Sequence, residues 1–150
     1  MKKLFICGLS ILMITGFFAG CSPKQDLNFS AHEWKNSLGK SQKVEALKWD
    51  DSTASATLTD NKEIQNFVAS LEMDTWELTE IPAEAEKELQ YILYQEDTRR
   101  LGEGKTKQAE LKEIANIVTY RDLPYLEIEI KDWTMSFKVP EHVAEFVNQF

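Results

Sequence analysis

The chain has almost no cysteine, and both of its cysteines stand near its start. Cys7 and Cys21 are the only two in 150 residues, so residues 22–150 contain none. That part of the chain can form no disulfide, and it offers no cysteine nucleophile, thiol redox pair or cysteine-based metal site. Its core must therefore be held together by burial alone, which suffices for a domain of about 130 residues.

Histidine is equally scarce, since His32 and His142 are the only two. Neither belongs to a complete HExxH pattern, so a zinc site is not expected. The nucleophile pattern G-x-S-x-G is absent, and the segment 102–105 (Gly-Glu-Gly-Lys) lacks the spacing of a phosphate-binding loop. We therefore expect a protein without catalytic residues, metal or cofactor.

Positive charge is in short supply over most of the chain. Residues 51–150 hold ten basic and 21 acidic residues, which gives this part a net charge of −11. Nucleic-acid binding needs clustered lysine and arginine, so the composition argues against a nucleic-acid partner. It also argues against adsorption of the protein surface to anionic lipid, which attracts polybasic segments.

Only one long apolar run occurs, and it lies at the N-terminus. Two lysines follow Met1, and an uncharged run then extends from Leu4 to Phe18. The run ends at Phe18-Ala19-Gly20-Cys21, where small residues precede a cysteine. A basic start, an apolar centre and small residues at the end are the parts of a secretory signal.

These residues resemble a bacterial lipoprotein signal peptide with its lipobox. The resemblance covers residues 1–21 and departs from the usual pattern at Phe18, where an aliphatic residue is typical. It implies that residues 1–20 are cleaved and that Cys21 carries a lipid with acyl chains such as palmitate. Because residues 4–23 are uncharged, an uncleaved membrane-spanning helix is the first alternative, and plain secretion is the second.

The lipobox resemblance implies a location and a first partner. Two acyl chains hold a protein stably to a bilayer, so the lipid bilayer itself is the expected partner of acylated Cys21. The expected location is the extracytoplasmic face of the cell membrane, or the outer membrane if the host is Gram-negative. Residues 21–42 would then form a lipidated tether, and residues 43–150 a single folded domain.

The expected tether contains a signal for one short helix. Ser30 and Glu33 match a capping box, and Phe29 and Trp34 stand at the positions of a hydrophobic staple around it. We therefore expect a helix near 31–38 that packs on the domain through Trp34 and Leu38.

Hydrophobic periodicity predicts strands and helices along the rest of the chain. Alternation of apolar residues indicates strands, and spacing of i, i+3, i+4, i+7 indicates a helix face. The expected strands cover 44–49, 54–58, 74–81, 89–93, 114–120 and both halves of a hairpin at 125–139, and the expected helices cover 60–71 and 140–150.

The two expected helices repeat the same apolar stripe 79 positions apart, Ile64 matching Val143 and Phe67 matching Phe146. A duplicated strand–helix unit would explain this, but any amphipathic helix after a strand would match as well. In either case, both helices should cover one face of a mostly antiparallel sheet of about 5–7 strands. The predicted fold is a single two-layer α+β domain.

Two tyrosines are the best candidates for an interaction surface. Tyr94 and Tyr125 stand at polar positions of predicted strands, and tyrosine supplies a large contact area at a small cost in conformational entropy. Glu127 and Glu129 share a strand face, where we expect solvated side chains with Lys138 as a cross-strand partner. The loop 97–110 is the second candidate contact region.

These observations favour a non-enzymatic protein-binding or assembly module that contacts another envelope protein. In size and pattern the chain resembles the small uncharacterised lipoproteins of Bacillus-like bacteria. The first alternative is an envelope hydrolase or its regulator, and the second is a small-ligand-binding lipoprotein. An enzyme should have a pocket with converging titratable groups, and a ligand carrier should have a deep apolar cavity.

Overall fold

The alternating segments of the chain form seven strands that join in one antiparallel sheet. The structure is a computed structural model, and it describes residues 31–97 and 110–149. The strands are β1 (Lys43–Lys48), β2 (Ala54–Leu58), β3 (Glu77–Leu78), β4 (Lys87–Glu96), β5 (Leu111–Tyr120), β6 (Leu123–Ile130) and β7 (Trp133–Lys138). Their order across the sheet is β2-β1-β4-β5-β6-β7-β3. With three helices beside this sheet, the predicted single α+β domain is confirmed.

Three α-helices accompany the sheet: α1 (Ala31–Leu38), α2 (Asn61–Ser70) and α3 (Glu141–Val147). Helix α2 begins after Asp60, whose carboxylate accepts hydrogen bonds from the backbone amides of Lys62 and Glu63 at 2.9 and 3.1 Å. These bonds satisfy two of the amide groups that every helix leaves unpaired at its start. Helix α3 begins after Pro140, which occupies its N-cap position.

The side chain of Tyr91, at the centre of β4, joins two helices to the sheet. Its ring centroid lies 5.1 Å from that of Phe67 on α2, and its hydroxyl donates to the backbone carbonyl of Val147 on α3. The rings of Phe67 and Phe146 are themselves 6.1 Å apart. Helices α2 and α3 therefore lie side by side on the face of the sheet that Tyr91 occupies.

The apolar core fills the space between that sheet face and the helices. Leu38 of α1 is only 2% exposed and belongs to this core, while Trp34 packs against its margin. Among the described residues, α1 therefore packs with the sheet and the other two helices in one core. The largest fully buried side chains are Tyr91, Phe137, Leu38, Ile64, Leu71, Met73, Leu93, Ile117, Leu126, Ile128, Val44 and Val68.

Two hairpin–helix units occupy equivalent places on either side of the central pair β4–β5. Strands β1 and β2 lead into α2, and strands β6 and β7 lead into α3. In each unit the first strand is the inner one, since β1 pairs with β4 and β6 pairs with β5. Turns with a left-handed residue join the strands of both hairpins, at Asp50 and at Lys131.

The strand predicted over 74–81 is mostly wrong. The chain instead enters a 3₁₀ turn at Met73–Thr75 after Glu72 in the left-handed region, and only Glu77–Leu78 pair with β7. The indole of Trp76 donates to the carbonyl of Leu71 at 2.6 Å, which holds the chain back against α2. Because the strand is so short, Leu78 at the sheet margin remains 74% exposed.

Several predicted features lie outside the described residues. They are the lipobox with Cys21, the cap residues Phe29 and Ser30, the body of the 97–110 loop, and Phe150 at the end of the last apolar stripe.

Replacing Phe67 with alanine tests the helix layer. Phe67 is 3% exposed between Tyr91 and Phe146, so Phe67→Ala should lower the free energy of unfolding by ~3–5 kcal/mol. Chemical denaturation of the two proteins measures the difference. Asn66→Ala, on the exposed side of the same helix, is the control and should change stability by about 0.5 kcal/mol or less. Equal effects of the two changes would contradict this packing.

Candidate functional site

The second face of the sheet carries no helix among the described residues. All three described helices contribute side chains to the core, which lies on the Tyr91 face. We call the opposite surface the open face. Its side chains alternate with the core residues along four neighbouring strands, and they are Lys43, Glu45, Leu47, Gln90, Ile92, Tyr94, Asn116, Val118, Tyr120, Tyr125, Glu127 and Glu129.

At one end of the open face, a lysine, a carboxylate and a tyrosine form a cluster. The Nζ atom of Lys43 lies 3.0 Å from Oε1 of Glu45 and 4.1 Å from the ring centroid of Tyr94. Hydrogen bonding to Lys43 holds the pKa of Glu45 below its ordinary value. Burial and the neighbouring Glu45 carboxylate raise the pKa of Tyr94 to about 12. The three side chains therefore satisfy one another and hold the Tyr94 ring in place.

A second cluster of the same chemistry lies towards the other end. The Nζ atom of Lys87 lies 2.8 Å from Oε1 of Glu127 and 4.3 Å from the ring centroid of Trp49. The Tyr120 hydroxyl donates to Oε2 of Glu127 at 3.4 Å. Burial, and after it the charge of Glu127, raises the pKa of Tyr120 to about 12.

This second cluster corrects the predicted environment of Glu127. Its side chain is only 15% exposed, so it is not the freely solvated group that we expected. Its cationic partner is Lys87 on β4, whereas Lys138 stands opposite Tyr125 on the neighbouring strand. The sheet twists and bulges between Lys87 and Gln90, which brings the Lys87 side chain over the face.

A cross-strand row of Glu45, Ile92, Asn116 and Glu129 passes through the middle of the open face. Asn116 is 8% exposed, and its amide donates to Oε2 of Glu129 at 3.1 Å. The Oδ1 atom of Asn116 has no hydrogen-bond partner within residues 31–97 and 110–149. Glu129 forms no ion pair within the same ranges, so acceptor groups predominate at the centre.

Both sequence-predicted tyrosines lie on the open face, but the structure does not bring them together. Ile92 and Glu129 both belong to the cross-strand row described above. Tyr94 lies two positions from Ile92 on one side of this row, and Tyr125 lies four positions from Glu129 on the other side. Six positions along the strands correspond to ~20 Å. Trp49 was not among the predicted surface residues, because it follows the end of β1 and no alternation assigns it to a face. Tyr120 continues the alternation of Asn116 and Val118 on this face, but it is buried at 4% exposure.

The part of the chain that the structure describes contains no recognisable catalytic or metal centre. No group of three or more histidine, cysteine, aspartate or glutamate side chains in it is arranged to hold a metal ion. His142 lies 3.0 Å from Glu72 on the surface, and His32 contacts Asn36 within α1. No described helix is long and apolar enough to cross a membrane.

A cavity of about 520 Å³ lies between α1 and the ends of β4, β5 and β6. Trp34, Leu38, Ile114 and Ile130 form its apolar lining, and an ion pair of Lys112 with Asp97 stands at its rim. Its volume falls in the range of small-molecule sites. No histidine lines it, so it offers no general base of that kind.

Comparison with known proteins finds no relative. No family model, no curated protein and no solved structure matches this chain.

The buried tyrosine of the second cluster predicts a loss of stability at high pH. Tyrosine is neutral when protonated, so a pKa raised in the folded state stabilises the fold below the ordinary value of 10.0, and this stabilisation is lost as pH rises towards about 12. Tyr120→Phe should therefore lose less stability than the parent protein between these two values. Denaturant titrations at a series of pH values measure both slopes. Parallel slopes would contradict the burial of an ionisable Tyr120.

Proposed function

We propose that this protein is a lipid-anchored envelope protein that binds another envelope protein through the open face. It acts as a non-enzymatic binding or assembly module. The observation that carries the proposal is an aromatic and charged sheet face that no described helix covers. Tyrosine and tryptophan are enriched among the residues that dominate protein–protein binding energy, and this face holds the partly exposed Trp49, Tyr94 and Tyr125.

The two charge clusters suit such a surface because they are already ordered. Lys43 and Lys87 each lie against an aromatic ring and a carboxylate, so a partner would not have to immobilise these long side chains itself. Pre-ordered side chains reduce the entropy lost on binding. The acceptor groups of Asn116 and Glu129 between the clusters favour a partner that presents hydrogen-bond donors.

Two alternatives remain from other functional classes. The apolar cavity beside Trp34 is the observation that favours a small-ligand-binding lipoprotein. An envelope hydrolase or its regulator finds less support, since no histidine lines that cavity and its Asp97 carboxylate is paired with Lys112.

The proposed anchor is tested by Cys21→Ala. If Cys21 carries the lipid, the variant should move from the membrane fraction to the soluble extracytoplasmic fraction, because the acyl chains supply the membrane affinity. Fractionation followed by immunoblotting measures this shift, with Cys7→Ala as the matched control that should remain in the membrane. Retention of the Cys21→Ala chain in the membrane would indicate an uncleaved span instead.

The proposed surface is tested by Tyr94→Ala and Tyr125→Ala, each introduced at the native level of expression. Either change should reduce capture of the partner in in-cell crosslinking, because each removes a large contact side chain from the open face. Asn66→Ala on α2, behind the opposite sheet face, is the control. Crosslinking and mass spectrometry measure the capture. A single partner captured equally by all three variants would place the contact elsewhere.

A further inference from the structure

Strand β2 leaves one edge of the sheet unpaired. It is the terminal strand of the order and pairs only with β1, so its outer backbone groups meet no other strand of the described chain. Residues 52–59 contain neither charge nor proline. Natural sheets usually protect such an edge with lysine, proline or a covering segment, because its free amides and carbonyls can pair with another chain.

The other end of the strand order shows that a short strand can pair with an outer hairpin strand of this sheet. Strand β7 holds the place in its hairpin that β2 holds in the other, and it pairs with the short strand β3. The amide of Thr79 adds one more hydrogen bond, to the carbonyl of Ser136 at 3.0 Å. A register shift beside Ser55 leaves Ala56–Leu58 as the regular part of β2, which is a pairing length comparable with that of β3.

Negative charges at both ends of β2 indicate which charges a partner strand should carry. Asp50 and Asp51 precede it and Asp60 follows it, all three exposed. A second copy paired antiparallel about Ala56 would bring Asp51 of one chain beside Asp60 of the other, and two acidic domains would repel. An extended segment with an uncharged, strand-forming centre and lysine or arginine at its ends meets the opposite charge at both ends.

We propose that β2 accepts an extended segment of a partner protein, uncharged at its centre and basic at both ends, as an eighth strand of the sheet. The partner supplies backbone hydrogen bonds to β2 and ion pairs to the aspartates at its two ends. This surface is an edge and not the open face. Either surface can therefore fail its test without affecting the other.

A peptide probe tests the proposal. The protein is expressed from its full-length sequence, and the form that the cell produces is purified in detergent. The probe is a short synthetic peptide of alternating threonine and valine with lysine at each end, and a second peptide carries glutamate at the ends. Hydrogen–deuterium exchange should slow along residues 54–58 with the lysine peptide and less with the glutamate peptide. High salt should weaken the first effect, since it screens the exposed aspartates.

A matched pair of variants separates edge pairing from general effects. Thr57→Lys places a charge on the edge and should weaken binding of the lysine peptide by about tenfold or more. Thr134→Lys, the same change at an exposed position of β7, should bind as the parent does. Tyr94→Ala should also bind normally, which distinguishes the edge from the open face.

Three results would overturn the proposal. One is unchanged exchange along 54–58 at millimolar peptide, and another is equal binding by the two lysine variants. The third is a concentration-dependent dimer that Thr57→Lys abolishes, because the edge would then belong to a second copy of this chain. Thermal unfolding of each variant, measured alongside, shows that Thr57→Lys remains folded.

Discussion

The contact that organises this domain is the one between Tyr91 and the helix layer. Its ring packs on Phe67 of α2, and its hydroxyl donates to the last residue of α3, Val147. A tyrosine can be fully buried only when its hydroxyl has a partner, and here an otherwise unpaired carbonyl at a helix end provides it. One side chain thus holds two helices of ten and seven residues on the centre of β4.

Because Tyr91 holds the helices on one face of the sheet, the other face has no described helix to cover it. The described helices all lie on the Tyr91 side, so within residues 31–97 and 110–149 the apolar residues of the open face are shielded by neighbouring side chains of that face. Lys43 and Lys87 lie across aromatic rings and pair with Glu45 and Glu127. Long side chains of this kind cover apolar surface with their stems while their charged ends stay paired. Val118 is fully buried on this face although no described helix covers it.

The same arrangement shapes what the molecule can do. A face made of interlocked aromatic and charged side chains offers contact area and directed hydrogen-bond acceptors. Burial raises the pKa of both Tyr94 and Tyr120, which moves these pKa values further from neutral pH. Recognition of another protein is the activity that we propose for this face, with the proposed lipid anchor at Cys21 to bring the two together.

Local periodicity by itself determined most of the secondary structure. The stripe of Ile64, Phe67 and Val68 and the alternation through 125–139 each express a repeat within one segment, and each forms the predicted element. The position of Tyr94 on a polar strand face was readable in the same way. The segment 74–81 failed because a distant contact, Trp76 against Phe137, outweighs its local preference for a strand.

Contacts between distant segments determine which faces and edges remain uncovered among the described residues. Lys87 and Glu127 are 40 residues apart, and no local pattern indicates that β4 and β6 lie on either side of β5. The strand order likewise leaves the outer edge of β2 without a partner strand among the described residues, while β3 pairs with β7, although β2 and β7 are the outer strands of similar hairpins. A repeat in the sequence records which side of each strand is apolar, whereas the pairing of strands depends on the packing of the whole chain.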